Sequence, residues 1–335
     1  MHLLLKIMKV EVFSIDLLPR FMARLDAHGE VARIVVGNPT PHGPVAATMA
    51  VSESTVSLVR QIARPLSYGP NMSITTQKLT SMLVHRLGSP RQHLLLGFEN
   101  GVLVILCAEN SVLVAAAQLS GGNPIHAMAF DDMGGILIVV TALGSVYRFD
   151  GVTGILTGER PSLIELQRYG TLNAGSEIFT CGFVPSSGGE SRLMILYSSG
   201  QIDLFSTAVD TFLQPETNKS VTLPVLGAVS IITASYLCHH SRALYVGTFN
   251  GAVLMVPLDT LVPETVLSDC GGPISTISPI EGGVCVGTLG GRVMFKDSTI
   301  YEDTQCSIYC LEALNSRLPV VLAGTNAWSL ILITL

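Results

Sequence analysis

The sequence predicts an all-β protein: a seven-bladed β-propeller of four-stranded antiparallel blades, with the last blade closed by the N-terminal strand. Three observations predict it. A phrase of strand, turn and strand recurs seven times. Its spacing matches one four-stranded unit. One strand-like segment is left over at the start of the chain, and one strand is missing at the end.

The phrase is clearest at GFENGVLVIL, residues 97–106, where Asn100-Gly101 separates two apolar runs. Asn-Gly in that setting predicts a type I′ hairpin turn, in which both central residues take positive φ. Degenerate copies begin at Ala50, Val140, Leu196, Gly247, Gly287 and Gly324. Aligned on the turn, the fifth position holds Ser54, Gly101, Gly144, Gly200, Gly251, Gly291 and Trp328. Two residues later stand Val56, Leu103, Val146, Ile202, Val253, Val293 and Leu330, all apolar. Glycine suits a position of positive φ, and Ser54 and Trp328 depart from it at the two ends. The turns recur about every 46 residues, close to the period of a four-stranded blade.

In chain order, residues 3–13 form an apolar strand without a hairpin partner, and the last repeat ends at Leu335 on its third strand. The N-terminal segment is therefore expected to complete the last blade and hide two sheet edges. Repeat one covers about 31–65, with the Pro-rich connection NPTPHGP at 38–44, and repeat two covers about 73–119. Repeat three, 125–160, reads as four strands: IHAMAF, the two arms of GILIVVTALGSVYRFD, and GILTGER. Repeat four opens at Ile178, repeat five near Val229, repeat six at Ile274 and repeat seven at Ser307. Two longer connections, 161–177 and 214–228, are expected between the last strand of one blade and the first of the next. No linker or charge block interrupts the pattern, which predicts a single domain, 1–335.

Composition fits this reading. Hydrophobic residues make up 48% and charged residues 13%, enough to bury a large core. Runs such as VLVIL are apolar on both faces, as strands packed between neighbouring sheets must be. No apolar run reaches the length of a membrane span without a charge or turn signal. The N-terminus MHLLLKIMKVEVF faintly resembles a signal peptide, but Lys6 and Lys9 interrupt it and no small-residue cleavage site follows. Seven cysteines without CxxC spacing predict buried free thiols and an intracellular compartment, cytoplasmic or nuclear.

GSVYRFD at 144–150, SGQIDLFS at 199–206 and NGAVLMVP at 250–257 resemble the third strand of WD-repeat blades. The resemblance covers nearly the whole chain as a pattern and implies a propeller. The family's Trp-Asp ending and its Gly-His pair are absent, so its Asp-His-Ser network is not carried over. YRFDGVTG, at 147–154, also resembles the repeats of quinoprotein-type propellers, whose enzymes use tryptophan docking and a metal-bound cofactor. With Trp328 as the only tryptophan, the docking pattern is lacking, and no cofactor is expected.

Motifs for chemistry are sparse. Asp131-Asp132 precede Gly134-Gly135 and read as turn residues. His239-His240 have no Cys or carboxylate at ligand spacing, so no metal site is expected. His126 begins an inner strand and could face a central channel, where its charge would respond to pH near neutrality. The glycine pairs at 282–283 and 290–291 are hairpin glycines and open no helix, so they form no phosphate loop.

Charge placement offers two faces. Net charge is −6 without a Lys/Arg run, which argues against a generic nucleic-acid binder. Arg91, Arg192, Arg242 and Arg317, joined by Arg86, precede second strands and could present an anionic-partner face. Carboxylates after the third strands, such as Asp150 and Asp259, fall on that face. Exposed pairs of this kind contribute about 0–1 kcal/mol each and need no partner. The opposite face is acidic and carries the two long connections. Its candidate partner-binding residues are Leu163, Glu165, Leu166, Arg168, Tyr169, Glu216 and Lys219. Apolar side chains rimmed by charge on long loops are what an interface requires.

Three function classes follow: a non-catalytic protein-interaction scaffold within a multi-subunit complex, a propeller enzyme with a site at the channel mouth, and an RNA- or phosphate-binding propeller using the arginine face. The missing catalytic motifs favour the first.

Overall fold

The computed structural model describes residues 9–14, 19–25, 32–38, 45–51, 56–62, 67–68, 72–73, 78–86, 92–108, 112–131, 135–157, 162–172, 176–185, 191–208, 212–213, 215–223, 231–239, 241–314 and 319–335. These residues are almost wholly β. They form seven antiparallel four-stranded meanders, sheets 1–7 in chain order, and one short hairpin, Ser67–Tyr68 with Met72–Ser73. A short parallel strand, Ser162–Leu163, adds a fifth member to sheet 2. Five residues, Val152–Leu156, form helix α1. Among the described residues no helix is long and apolar enough to cross a membrane.

Two compact units carry the sheets: sheets 1, 5, 6 and 7 in one, sheets 2, 3 and 4 in the other. Within each unit the architecture is propeller-like, because the first strands of successive sheets lie against one another. In one unit Ile232–Cys238, Ile274–Ile280, Ile308–Leu314 and Phe21–Arg24 follow in that order. In the other the order is Leu79–Arg86, Ile125–Asp131 and Ile178–Pro185. Second and third strands fill the space between sheets. Gln92–Phe98, Val102–Cys107, Ile136–Thr141, Ala243–Thr248 and Val320–Thr325 are buried along their whole length. Fourth strands such as Glu264–Leu267 and Ser298–Glu302 are largely exposed and carry the polar residues that blunt a sheet edge.

Sheet 7 is completed by the N-terminus. Lys9–Ser14 runs antiparallel to Ser329–Thr334, from Lys9 opposite Thr334 to Ser14 opposite Ser329. The leftover first strand thus becomes the missing last one.

Two devices recur. In six sheets the first strand opens on a buried Ile or Leu followed by a register shift of one residue: Leu79, Ile125, Ile178, Ile232, Ile274 and Ile308. Three of these isoleucines sit against a glycine in the second strand of the preceding sheet. A β-carbon on Gly97 would stand 2.6 Å from Ile125 Cγ2, and one on Gly247 or Gly287 would stand 2.5 Å from Ile274 or Ile308 Cγ2. Gly324 meets Pro19 in the same way, at 2.6 Å.

The second device is the hairpin from second to third strand. Gly101, Gly144, Gly200, Gly251 and Gly291 all take positive φ, and Trp328 does so as well, at 57°. Each glycine donates its N–H to the carbonyl three residues earlier, as from Gly101 to Phe98 at 3.1 Å. Asn100 does not share the positive φ, so the expected type I′ turn is a type I turn closed by one left-handed residue. A buried threonine locks four of these hairpins. Thr141, Thr248 and Thr288 each accept the N–H four residues on, at 3.2, 3.0 and 3.1 Å, and Thr325 accepts that of Ala327 at 3.2 Å. Sheet 2 lacks the threonine, and there Asn100 Oδ1 takes the Val102 N–H at 3.2 Å.

Sheet 1 departs from the expected alignment. Its strands are Phe21–Arg24, Ala32–Asn38, Val45–Val51 and Val56–Ile62. It begins ten residues before the expected 31, and Ser54, outside the described residues, falls between the third and fourth strands. Between its second and third strands the sequence is Pro-rich and lacks the strand-turn-strand phrase on which the other sheets align.

Thr288→Val keeps shape and burial but leaves the Arg292 N–H without its acceptor. Chemical denaturation should show a loss of about 0.5–1.5 kcal/mol, the contribution of one partly buried hydrogen bond.

Candidate functional site

The candidate residues of 161–177 do not form an inter-sheet connection. The fourth strand of sheet 3 is Gln167–Thr171, and the expected fourth strand GILTGER is instead partly helix α1. Gly151, at φ 78°, turns the chain out of the third strand, and α1 then buries Val152 and Leu156 in the core between sheets 2 and 3. The chain crosses to sheet 2, where Ser162 and Leu163 pair in parallel with Ala115 and Ala116. Ile164 follows them into the core, and its N–H donates to Ala116 O at 2.9 Å. Leu163 is left 68% exposed, Glu165 is exposed, and Leu166 is half-buried against the same core.

Arg168 and Tyr169 lie on that fourth strand. Tyr169 packs edge-on to Phe212, with ring centres 4.9 Å apart. The Arg148 guanidinium lies 4.8 Å from the Phe212 ring and 5.7 Å from that of Tyr169. It donates to Asp150 Oδ1 at 2.8 Å and to the Thr207 carbonyl at 2.7 Å. Tyr169 is therefore part of a latch between sheets 3 and 4, and is half-buried within the fold. Glu216 and Lys219 fall in the fourth strand of sheet 4, Pro215–Thr222, so the expected connection 214–228 is also largely strand; their side chains lie outside the described residues.

Arg168 instead helps to line an open recess of about 370 Å3. Ser145 and Tyr147, from the third strand of sheet 3, lie beneath it. Ser120, Gly121 and Asn123 contribute from the connection between sheets 2 and 3, and Leu143 from the hairpin tip. Arg168 and Thr171 close the outer side. The buried Tyr147 hydroxyl donates to the Ser120 carbonyl at 2.7 Å and lies 3.1 Å from Ser120 Oγ. Arg168 Nη2 donates to Thr171 Oγ1 at 2.9 Å, which holds the guanidinium at the rim. Leu143 is 69% exposed. Among the described residues the lining carries no carboxylate, histidine or thiol. The recess offers instead a cation, several hydrogen-bonding groups and an apolar edge. Neither the connection residues nor Leu143 had a sequence signal beyond the turn glycine that follows it.

The arginine set divides. Arg91 and Arg317 lie outside the described residues, as does the side chain of Arg86. Arg192 is the second residue of the Ser191–Tyr197 strand, opposite Val184 and Ser206. Arg242 forms an exposed ion pair with Asp259 at 2.7 Å, the local pairing that the carboxylates after the third strands imply. His126 is the extra residue of a strand-opening bulge and points to solvent. Asp131 is a strand residue and not a turn residue; it is buried and accepts the Ser191 hydroxyl at 2.8 Å. Among the described residues no three His, Cys, Asp or Glu side chains cluster to hold a metal.

The thiols are unpaired. Burial pushes Cys181 and Cys285 up to about 12. Burial, with the nearby charges of Asp269 and Asp303 respectively, pushes Cys270 and Cys306 up to about 11. Burial raises Cys310 as well. These five are protonated at neutral pH and are not nucleophilic thiolates.

Set against known proteins, the chain matches no protein-family model and, by sequence, no curated protein. By structure it is similar to Raptor from Chaetomium thermophilum, with a TM-score of 0.66 and 13% identity. The match covers 96% of this chain and 28% of that one. At that identity the likeness is one of fold.

Proposed function

We propose that this chain is a non-catalytic protein-interaction scaffold, a subunit of a larger intracellular assembly. We propose further that its seven sheets close into one seven-bladed propeller of WD-repeat type over residues 1–335. The recess on sheet 3 carries the functional reading. It combines an exposed leucine, a positioned arginine and fixed hydrogen-bonding groups at the hairpin end of sheet 3. A pocket so lined suits a partner side chain with a carboxylate or amide tip beside an apolar one, and the surrounding sheets hold the donors in place. Free, buried, protonated thiols support a reducing compartment. The first-strand packing within each unit and the likeness in fold to Raptor support the propeller.

Two measurements test this. Leu143→Asp with Arg168→Glu changes two exposed side chains outside the core. It should abolish recovery of the partner that co-purifies with the parent from the native source and leave the melting temperature unchanged. Retention of that partner by the variant would reject the recess. For closure, small-angle scattering of the 335-residue monomer should give a radius of gyration of about 20 Å, the value for one compact domain. A two-lobed profile with a clearly larger radius would reject the single ring.

A further inference from the structure

Sheets 5, 6 and 7 each turn from second to third strand through a hairpin, and each hairpin carries one large exposed apolar side chain. Phe249 is 53%, Leu289 43% and Trp328 49% exposed. Hydrogen bonds tie each tip to the segment that enters its sheet; the Cys270 N–H donates to Gly251 O at 2.9 Å between sheets 5 and 6, and Ser307 joins the tips of sheets 6 and 7. The Phe249 N–H donates to the carbonyl of Ile231, itself exposed, at 2.8 Å. The Leu289 N–H donates to Pro273 O at 2.9 Å, and Ser307 Oγ donates to Leu289 O at 2.7 Å. Asn326, two residues before Trp328, donates its N–H to Ser307 O at 3.1 Å and accepts the Ser307 N–H on Oδ1 at 2.8 Å.

Trp328 is the sole tryptophan, and it stands where five other hairpins place glycine. Its φ of 57° is left-handed, a conformation that costs a residue with a β-carbon roughly 1–2 kcal/mol. Nothing in the hairpin's own geometry requires the indole, since glycine makes the same turn in sheets 5 and 6. A bulky residue held in strain, with half its surface in water, is a feature of recognition and not of packing.

Among the described residues the same sheet ends carry three carboxylates and two guanidiniums, one of them Arg20, which lies 3.5 Å over the Tyr309 ring in the segment entering sheet 1. Asp269 and Asp303 lie in the segments leading into sheets 6 and 7, and Glu302 ends the fourth strand of sheet 6. Arg292 pairs with Glu302 at 2.7 Å and offsets one of the three charges. Asp269 Oδ1 accepts the Gly271 N–H at 2.8 Å and Asp303 Oδ1 accepts that of Gln305 at 3.0 Å; both bonds are to neutral donors and leave the carboxylate charge in place.

We propose that the row Ile231, Phe249, Leu289 and Trp328 docks a peptide segment of another protein in which lysine or arginine flanks aromatic or aliphatic side chains. The apolar row supplies the buried centre, Trp328 is its anchor, and Asp269 and Asp303 select positive charge. This rests on the interaction-scaffold reading for the class of partner alone, since the row belongs to the other structural unit from the recess.

The test is a selection from a displayed library of random dodecapeptides, using the full chain as bait and Trp328→Gly as counter-bait. Trp328→Gly relieves the left-handed strain and should unfold at or above the parental temperature, so lost binding is not lost fold. Enriched peptides are expected to be basic and rich in aromatic or aliphatic residues. They should shift the emission of Trp328 to the blue. Their affinity should fall about tenfold or more in Trp328→Gly, and again in Asp269→Asn with Asp303→Asn, which keeps both Oδ1 acceptors. The double substitution Leu143→Asp with Arg168→Glu should leave them bound, which separates this surface from the recess. No enrichment over the counter-bait, or enrichment of acidic or uncharged peptides, overturns the proposal. So does concentration-dependent dimerisation of the parent that Trp328→Gly abolishes, because the row would then belong to a second copy of this chain.

Discussion

The structure depends on a close approach between sheets. A glycine in the second strand of one sheet receives the first residue of the next, and a β-carbon at Gly287 would stand 2.5 Å from Ile308 Cγ2. The contact recurs at Gly97 and Gly247, and Gly324 meets Pro19, just before the first strand of sheet 1. Packed cores tolerate such overlap poorly, so glycine at these positions sets how near neighbouring sheets can come. The isoleucine that fills the space is also the residue before the bulge, so one contact sets both the separation of two sheets and the register at which the next first strand begins. The wide apolar strands Val320–Thr325 and Ala243–Thr248 are buried on both faces as a consequence.

From that spacing the hairpin ends follow. Four residues beyond each of these glycines comes a left-handed turn residue: Gly101, Gly251, Gly291 or Trp328. Buried threonines hold three of those four hairpins, and the intervening connections bond to the tips, as Ser307 does to Leu289. A side chain at a tip is thereby positioned by the sheet interior and yet exposed, the combination that suits a recognition surface and removes much of the ordering cost of binding. Five thiols of the interior are held protonated by burial, and the buried Arg148 and Asp131 are engaged in latches between sheets 3 and 4.

Much of this was legible in the sequence, and the rest was hidden for identifiable reasons. The turn glycines and the unpaired N-terminal strand could be read directly, because positive φ and apolar pairing each constrain residue type. Trp328 showed that the left-handed position persists even where glycine is replaced. The turn type was misread at Asn100: the Asn-Gly signal is shared by hairpins of different loop length, and here the asparagine caps Val102 while only Gly101 is left-handed. The alignment of sheet 1 is displaced by one hairpin because the sequence between its second and third strands is proline-rich and lacks the phrase. The outer strands of sheets 3 and 4, Gln167–Thr171 and Pro215–Thr222, read as connections in the sequence because edge strands carry the polar composition of loops. That error placed Tyr169 on a loop surface, where the structure packs it against Phe212. Arg168, from the same stretch, does reach an open recess, while Leu143 and Ser120 were not legible because their roles arise from the meeting of separate elements.

Substitution of the inter-sheet glycine tests the account most directly. Urea unfolding of Gly287→Ala should be compared with that of Gly154→Ala, where a β-carbon meets nothing within 4 Å. The account predicts that Gly287→Ala loses about 1–3 kcal/mol through overpacking against Ile308. Gly154→Ala, in helix α1, should be unchanged or gain up to about 1 kcal/mol. A Gly287→Ala protein as stable as the parent would contradict it, because sheets able to accept a β-carbon there are not spaced by that contact.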